Sequence, residues 1–304
     1  MLDIALLGCG GTMPLPKRWL TAMLASYNGK MILIDCGEGT QVTMKMLGWG
    51  FKSIDAICFT HYHADHVAGL PGLLFAIANA GREEPLLLMG PPGLVEVVRG
   101  MTVIAPYLPY ELELVELSEQ EDTVHDVGEF VVRTLPVYHT VPCVSYTVEI
   151  ERGRKFNPAR ASELGIPVPY WSRLQKGETI VHDGSTFTPD MVLGEPRKGL
   201  KVAYCTDTRP IEGLIDFIQG ADLFIGEGMY GDIESLPKAE EHRHMLFEEA
   251  AALAKAGDVK ELWLTHYSPS LHTPEEYIET ARRIFPETKL GHDRMNTSLV
   301  FEKE

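Results

Sequence analysis

The sequence predicts an α/β fold whose strands end at a shared metal-binding cleft. Short apolar runs alternate with amphipathic helical stretches along the chain. At five places such a run delivers a residue of metal-ligand type, with His61, His139, Asp207 and His266 each one or two positions past the run. With 304 residues, 45% of them hydrophobic, the chain can bury a large core, as one α/β domain or as two smaller ones.

Composition excludes several classes. The net charge of −16 gives no general affinity for polyanions and counts against non-specific nucleic-acid binding. The five cysteines (Cys9, Cys36, Cys58, Cys143, Cys205) are odd in number and scattered through apolar runs. They read as reduced core thiols rather than a disulfide framework. The chain opens at once on a strand-like run, without a basic leader or cleavage site, and no apolar stretch approaches the length of a membrane span. A cytoplasmic protein with no membrane partner is expected.

The first strand, over 4–7, runs into Gly8-Cys9-Gly10-Gly11, a turn lacking the spacing of a dinucleotide fingerprint or a P-loop. Lys17 and Arg18 at the far end of that loop are candidates to meet a phosphate. Strands over 23–26 and 31–35 flank Asn28-Gly29, a hairpin signal. Asp35 then heads an acidic turn, either as an acceptor behind a metal ligand or as an ordinary turn or N-cap residue. A short amphipathic helix covers 40–47.

The apolar run 54–59 ends on Thr60-His61-Tyr62-His63-Ala64-Asp65-His66, three imidazoles and a carboxylate in six positions. Neutral imidazole nitrogen and carboxylate oxygen suit Zn²⁺ and its neighbours. His61 and His63 can grip one ion while Asp65 and His66 turn to a second. Further on, a helix opening at 69–73, a strand over 85–89 and a helix over 94–101 are expected. Residues 82–129 hold eleven acidic and two basic residues and read as a solvated acidic flank.

The strand 130–138 ends on His139, a fourth imidazole for the cleft. After a strand over 144–150 the character changes. Between Arg152 and Lys176 stand six basic residues (Arg152, Arg154, Lys155, Arg160, Arg173, Lys176) and one acid, Glu163. Prolines and Tyr170-Trp171 are interleaved with them. Such a segment reads as an irregular inserted arm that can follow a phosphate backbone and stack on a base. The strand 201–205 leads to Asp207, placed to bridge two metals, and the strand 221–225 leads to Glu227. His242-Arg243-His244 opens a helix over 247–255. The strand 261–265 ends on His266, and a helix over 274–285 and a last strand within 289–301 close the chain.

These residues, in this order, resemble the metallo-β-lactamase fold, an αββα sandwich, here as one domain over 1–304 with an inserted basic arm at 151–200. Within that fold the chain resembles the ribonuclease Z family. His61 to Gly72 (H-Y-H-A-D-H-V-A-G-L-P-G), the stretch 164–179, Cys205 to Pro210 and Leu264-Thr265-His266-Tyr267-Ser268 carry the likeness. Some positions depart from the family pattern. Cys9 and Trp19 stand for Thr and Asn, Val168-Pro169 for Gly-Pro, and Gly226-Glu227-Gly228-Met229-Tyr230 for His-Glu-Ala-Thr-Phe. Met-Leu follows His244 in place of a small residue and Thr.

The resemblance implies a zinc-dependent phosphodiesterase, an endoribonuclease that removes the 3′ trailer from tRNA precursors by metal-activated hydroxide and leaves a 3′-OH. It implies two Zn²⁺, with Mn²⁺ or Fe as alternatives: one on His61, His63, His139 and Asp207, the other on Asp65, His66, Asp207 and His266. Asp65 would orient water or take its proton, His244 would protonate the leaving oxygen, and Glu227 would hold His244. His242 is the competitor that the family alignment disfavours. Lys17, Arg18, Arg152, Arg154, Lys155, Arg173 and Lys176 are the expected substrate contacts, the last five on the arm that serves as tRNA exosite. A homodimer, with one subunit's arm serving the other's site, is implied as well. Two other readings stand beside this one. A hydrolase of a small phosphodiester, thioester or lactone has no use for a cationic arm, and a non-catalytic relative would not keep a complete ligand set.

Overall fold

The computed structural model describes residues 1–303. Six strands come first: β1 (Leu2–Gly8), β2 (Ala22–Tyr27), β3 (Lys30–Ile34), β4 (Ile54–Cys58), β5 (Leu86–Gly90) and β6 (Leu112–Glu116). Next are β7 (Thr123–Val127), β8 (Phe130–Val137) and β9 (Cys143–Arg152), then the short pair β10 (Ile180–His182) and β11 (Ser185–Phe187). The last are β12 (Arg197–Cys205), β13 (Leu223–Glu227), β14 (Leu262–Thr265), β15 (Thr288–Leu290) and β16 (Met295–Leu299). They build two seven-stranded sheets, ordered β16-β1-β2-β3-β4-β5-β6 and β15-β14-β13-β12-β9-β8-β7, with β10-β11 apart. Both sheets mix antiparallel and parallel pairs. From β3 to β6, and from β12 to β15, neighbours run parallel. Parallel strands need crossovers, and helices supply them.

The inner strands β1 to β5 of the first sheet bury most of their side chains, as strands covered on both faces do. One cluster joins Leu24, Leu33 and Ile57 of that sheet to Met44, Leu73 and Ile77 of the helices Thr40–Leu47 and Leu70–Asn79. The expected hairpin is present, with Asn28 and Gly29 both at positive φ (50° and 79°). Two consecutive left-handed residues match the right-handed twist of the flanking strands.

The acids of the flank from Glu111 to Glu129 are exposed, as expected. Its residues 112–116 and 123–127 are β6 and β7, the edge strands of the two sheets. Charged side chains on an edge discourage pairing with another chain, so part of that acidity marks sheet edges. Arg82 sits nearby, only 4% exposed. It donates to the carbonyls of Glu84, Lys52, Ile54 and Pro85 at 2.5–2.9 Å. Arg82→Met keeps the bulk and strands those carbonyls. Each charged hydrogen bond contributes about 1.5–3 kcal/mol, so a loss of about 3 kcal/mol is expected from urea unfolding. A loss under about 1 kcal/mol would show that water reaches the carbonyls.

The chain divides into two compact units, Met1–Ile150 with Lys201–Val300, and Glu151–Leu200 with the residues from Phe301 on. The smaller unit is more regular than its sequence suggests. It contains the helices Pro158–Glu163 and Trp171–Gln175 and the β10-β11 hairpin. Ala161, Ile166, Leu174, Ile180 and Val192 form a core of its own. The aromatics expected to stack on a base are engaged within it. Trp171 packs on Phe156 at 5.4 Å and donates to the Ile166 carbonyl, and Tyr170 lies against His182. Among the described residues no helix is long and apolar enough to cross a membrane.

Candidate metal centre

The site is assembled at the carboxyl ends of strands from both sheets, the edge where α/β sheets expose their following loops. β3 ends before Asp35, β4 before Thr60 and His61, β8 before His139, β12 before Asp207 and β14 before His266, while β13 ends on Glu227. Asp35, Asp207 and His266 have φ of 62°, 56° and 60°. Non-glycine residues in the left-handed region are uncommon and gather where surrounding structure over-determines them. Each turns the chain sharply out of its strand so that the side chain enters the cleft.

Seven side chains expected as ligands meet there in two groups. In the first, His61 Nε2 lies 3.0 Å from His63 Nδ1, and His139 Nε2 3.3 Å from the same atom. Asp207 Oδ1 faces His61 and His139 at 3.9 and 3.8 Å. In the second, His66 Nε2 is 3.2 Å from His266 Nε2, and Asp65 Oδ2 is 3.4 Å from both. Asp207 Oδ2 completes it at 3.2 Å from His66 and 3.4 Å from His266. Asp207 thus gives one oxygen to each group. That second oxygen is buried and accepts no hydrogen bond despite its two neighbours, a rare condition for a buried carboxylate. Three imidazole nitrogens facing one another cannot all be satisfied by exchanging protons. A cation among them satisfies every lone pair at once, so the donor set fits divalent metal.

The partners behind the ligands fix which nitrogen points inward, as they do in metal sites generally. Asp35, fully buried, faces His66 Nδ1 at 2.8 Å and accepts from the Thr60 amide and hydroxyl. Asp35 therefore stands behind His66; it is not a helix cap, which at Thr40–Leu47 is Gly39. Thr60 Oγ1 also lies 3.0 Å from His61 Nδ1. Glu227 Oε1 faces His266 Nδ1 at 3.2 Å and His244 Nδ1 at 2.6 Å and accepts from the Asp207 amide. Its Oε2 accepts from the Met245 amide. Both oxygens are thus occupied, and Glu227 ties His244, His266 and two backbone amides together.

Electrostatics divides the histidines. Burial holds His61 well below the ordinary imidazole range, and lowers His63 and His139 as well. A lowered pKa favours the neutral imidazole, the form that can offer a lone pair to a cation. Burial would lower His66 and His266 too, but the carboxylates around them, Asp207 foremost, prevail and push His266 up to about 10 and His66 well above its usual value. The carboxylate-rich half of the site calls for positive charge.

The loop at 8–12 closes the site from one side. A Cβ at Gly11 would stand 2.8 Å from the His266 ring, so only glycine allows the backbone this close. Thr12, at φ 68°, donates its amide to Asp65 Oδ2 at 2.6 Å. Sequence reasoning missed Thr12 and Thr60. Neither is of ligand type, and Thr12 acts through its backbone, which no residue code reports.

A cavity of 660 Å³ opens above the ligands, lined by His63, Asp65, Asp207, His244 and His266 among others, with Tyr230 and Ser268–Ser270 on its wall. His242 also lines it but is exposed at the end of its helix and has no side-chain partner among the described residues. His244 has Glu227.

The expected substrate contacts fare unevenly. The Arg18 guanidinium donates to the carbonyls of Ser268, Leu271 and His272 and lies over Tyr267. It braces its own loop against residues 268–272. Lys17 is exposed at φ 70°. In the smaller unit Arg154 pairs with Asp190, Arg173 with Glu178, and Arg152 donates to the Glu302 carbonyl. The side chains of Lys155 and Lys176 have no hydrogen bond or ion pair among the described residues, and both line a 560 Å³ groove with Arg154 and Arg197.

Residues 21–155 match the family model of the metallo-beta-lactamase superfamily. Ribonuclease Z of Clostridium kluyveri is 54% identical over 303 residues, covering 100% of this chain and 100% of that protein. Ribonuclease Z of Clostridium acetobutylicum is 54% identical over 307 residues, covering 99% of each. Among solved structures, human tRNase Z, short form, superposes with a TM-score of 0.70 at 24% identity, over 98% of this chain and 100% of that one. The metallo-beta-lactamase fold protein YhfI of Bacillus subtilis does so with a TM-score of 0.70 at 20% identity, over 97% and 98%. These two structures speak to the fold.

Proposed function

The chain belongs to the ribonuclease Z family, and on that premise we propose that it is a metal-dependent endoribonuclease that cuts the 3′ trailer from tRNA precursors and leaves a 3′-OH. One observation supports this above others: in a chain of full-length family likeness, every ligand-type residue of the motif reaches one cleft with Asp207 between two groups. His61, His63, His139 and Asp207 would hold one ion, and Asp65, His66, His266 and Asp207 the other, with zinc proposed for both. Two divalent cations there would supply charge for the phosphate oxygens and acidify water at neutral pH.

The protein's own groups do the rest. Asp65, oriented by the Thr12 amide, takes a proton from the attacking water. His244 has its Nδ1 occupied by Glu227, so Nε2 carries the proton that can be transferred. Burial would lower its pKa, but Glu227 outweighs that and raises it, which favours the protonated form that an acid needs. As water oxygen bonds to phosphorus, the bond from phosphorus to the 3′ oxygen breaks, and that oxygen receives the His244 proton. The test is a cleavage map of a tRNA precursor incubated with purified, metal-loaded protein. One cut at the trailer junction is expected. Cleavage of small phosphodiesters alone would favour the small-substrate hydrolase.

The smaller unit is proposed as the RNA-binding exosite. Its positive charge is concentrated in residues 152–176, where the six basic residues oppose one acid; Glu178, Asp183, Asp190 and Glu195 outnumber Arg197 and Lys198 further on. Lys155→Glu combined with Lys176→Glu is expected to weaken precursor binding and to make its salt slope shallower by about 2, one unit for each lost phosphate contact. Hydrolysis of bis(p-nitrophenyl) phosphate should stay unchanged. An unaltered salt slope would remove the exosite assignment. A homodimer is proposed as well, supported by Val42, Met46 and Phe75, which stand 40–59% exposed on two neighbouring helices; light scattering decides it. Five free, buried cysteines suit a reducing compartment, and the cytoplasm is the proposed location.

A further inference from the structure

We propose that Arg243 is a positioning residue that ties the His139 strand end to the His244 turn, holding a ligand nitrogen and the leaving-group acid in register. The inference rests on the roles proposed above for His139 and His244.

Arg243 lies between two histidines and caps the helix Leu236–His242 in the left-handed conformation, at φ 60° and ψ 52°. That conformation costs an L-residue about 1–2 kcal/mol, and glycine is the usual occupant of such a cap. An arginine is therefore held there against the backbone preference, and its side chain has an evident occupation. The guanidinium donates to the His139 carbonyl and lies 4.3 Å from the centre of the Tyr138 ring, within range of a cation–π contact. The exchange is reciprocal, since His139 Nδ1 faces the Arg243 carbonyl at 3.4 Å. That acceptor keeps the ring hydrogen on Nδ1 and leaves the Nε2 lone pair aimed at His63 and Asp207.

The turn is anchored from its other end by Arg209. Its Nη1 donates to the His244 carbonyl at 2.6 Å, and its guanidinium forks onto Glu249, which accepts from the Leu246 amide. The Arg209 amide donates to the Tyr138 carbonyl. Arg209 fixes the turn to the following helix, and Arg243 fixes it to His139. Without Arg243 both histidines remain, but the His139 ring is free to rotate and to change tautomer. Partners behind metal ligands are typically worth 10–100-fold in metal affinity or activity.

Arg243→Gly separates the two roles of the position, because glycine adopts this backbone without strain. A residue needed only for the turn should be replaced by glycine without loss. The clamp predicts an unchanged or higher melting temperature and about 10–100-fold weaker Zn²⁺ binding in a chelator competition. It also predicts a kcat on precursor tRNA lower by a similar factor at nearly constant KM. Millimolar guanidinium ion should restore part of both. Arg243→Lys keeps a cation over Tyr138 and one donor, and should fall between wild type and glycine. Wild-type zinc affinity and kcat in the folded glycine variant would overturn the proposal, and so would a lysine variant no better than glycine. A glycine variant that fails to fold would overturn it too, since the residue would then be structural. The functional reading is judged separately on the unmutated protein: if that binds zinc without cutting the precursor, the substrate is wrong while the affinity comparison still decides the clamp.

Discussion

Asp207→Ala is expected to leave purified, zinc-reconstituted protein with at least one ion fewer than wild type and with almost no turnover. The carboxylate is the single group common to both halves of the site, with one oxygen toward His61 and His139 and the other toward His66 and His266. Removing it takes a negative charge from the midst of five imidazoles and a ligand from each ion. Removal of one preorganised charge-stabilising donor costs about 10²–10³-fold in kcat, and losing an ion with its bridge should exceed that. Two companions make the result interpretable. Asp207→Asn tolerates the left-handed backbone at this position and keeps the shape, so a defect shared with alanine belongs to the charge rather than to the turn. Elemental analysis of the unmutated protein sets the reference. One ion or none in that reference would end the dinuclear assignment, and two in the alanine variant would end the bridging role of Asp207.

Much of this centre can be read from the sequence because its ligand-type residues obey a local rule. A buried strand needs a continuous apolar run, and the first polar residues after it must emerge at the sheet edge. His61, His139, Asp207 and His266 each follow such a run, so their convergence is legible without knowing how the sheets pack. The hairpin at Asn28-Gly29 is legible for a similar reason, since two left-handed residues in succession restrict the choice of side chain.

Other features were hidden for equally physical causes. β6 and β7 are edge strands, half-solvated, and Glu113, Glu116 and Asp126 mask the alternation that would identify them. The core of the smaller unit draws five residues from 161 to 192, separated by prolines and charges, so no window of sequence displays it. Tyr170 and Trp171 read as binding groups because an aromatic beside cations is ambiguous until its packing partner is known. Arg18 reads as a phosphate contact because a charge does not reveal that it will meet carbonyls some 250 positions later. The backbone amide at Thr12 has no code at all.

His244→Ala is expected to lower kcat by about 10²–10⁴-fold while metal content stays at the wild-type level, the range associated with a general acid or base. The combination is what distinguishes an acid from a ligand. His244 lies near Asp207, with Nδ1 3.8 Å from Oδ1, and by proximity alone it could be counted among the ligands. Its Nδ1 is nevertheless 2.6 Å from Glu227, whose other contacts are backbone amides and His266. That pair is built to hold a proton on an imidazole. Glu227→Gln should therefore reproduce part of the His244→Ala loss, and in the double variant the two effects should not add, because residues acting as a unit are not additive. A precursor whose leaving oxygen is replaced by sulfur, a leaving group that needs no proton, should recover much of the lost rate in His244→Ala and none in Asp207→Ala. Should His244→Ala shed an ion, His244 is a ligand. Should His242→Ala be the damaging change while His244→Ala is mild, the acid stands at the exposed end of the helix, and Glu227 serves His266 alone.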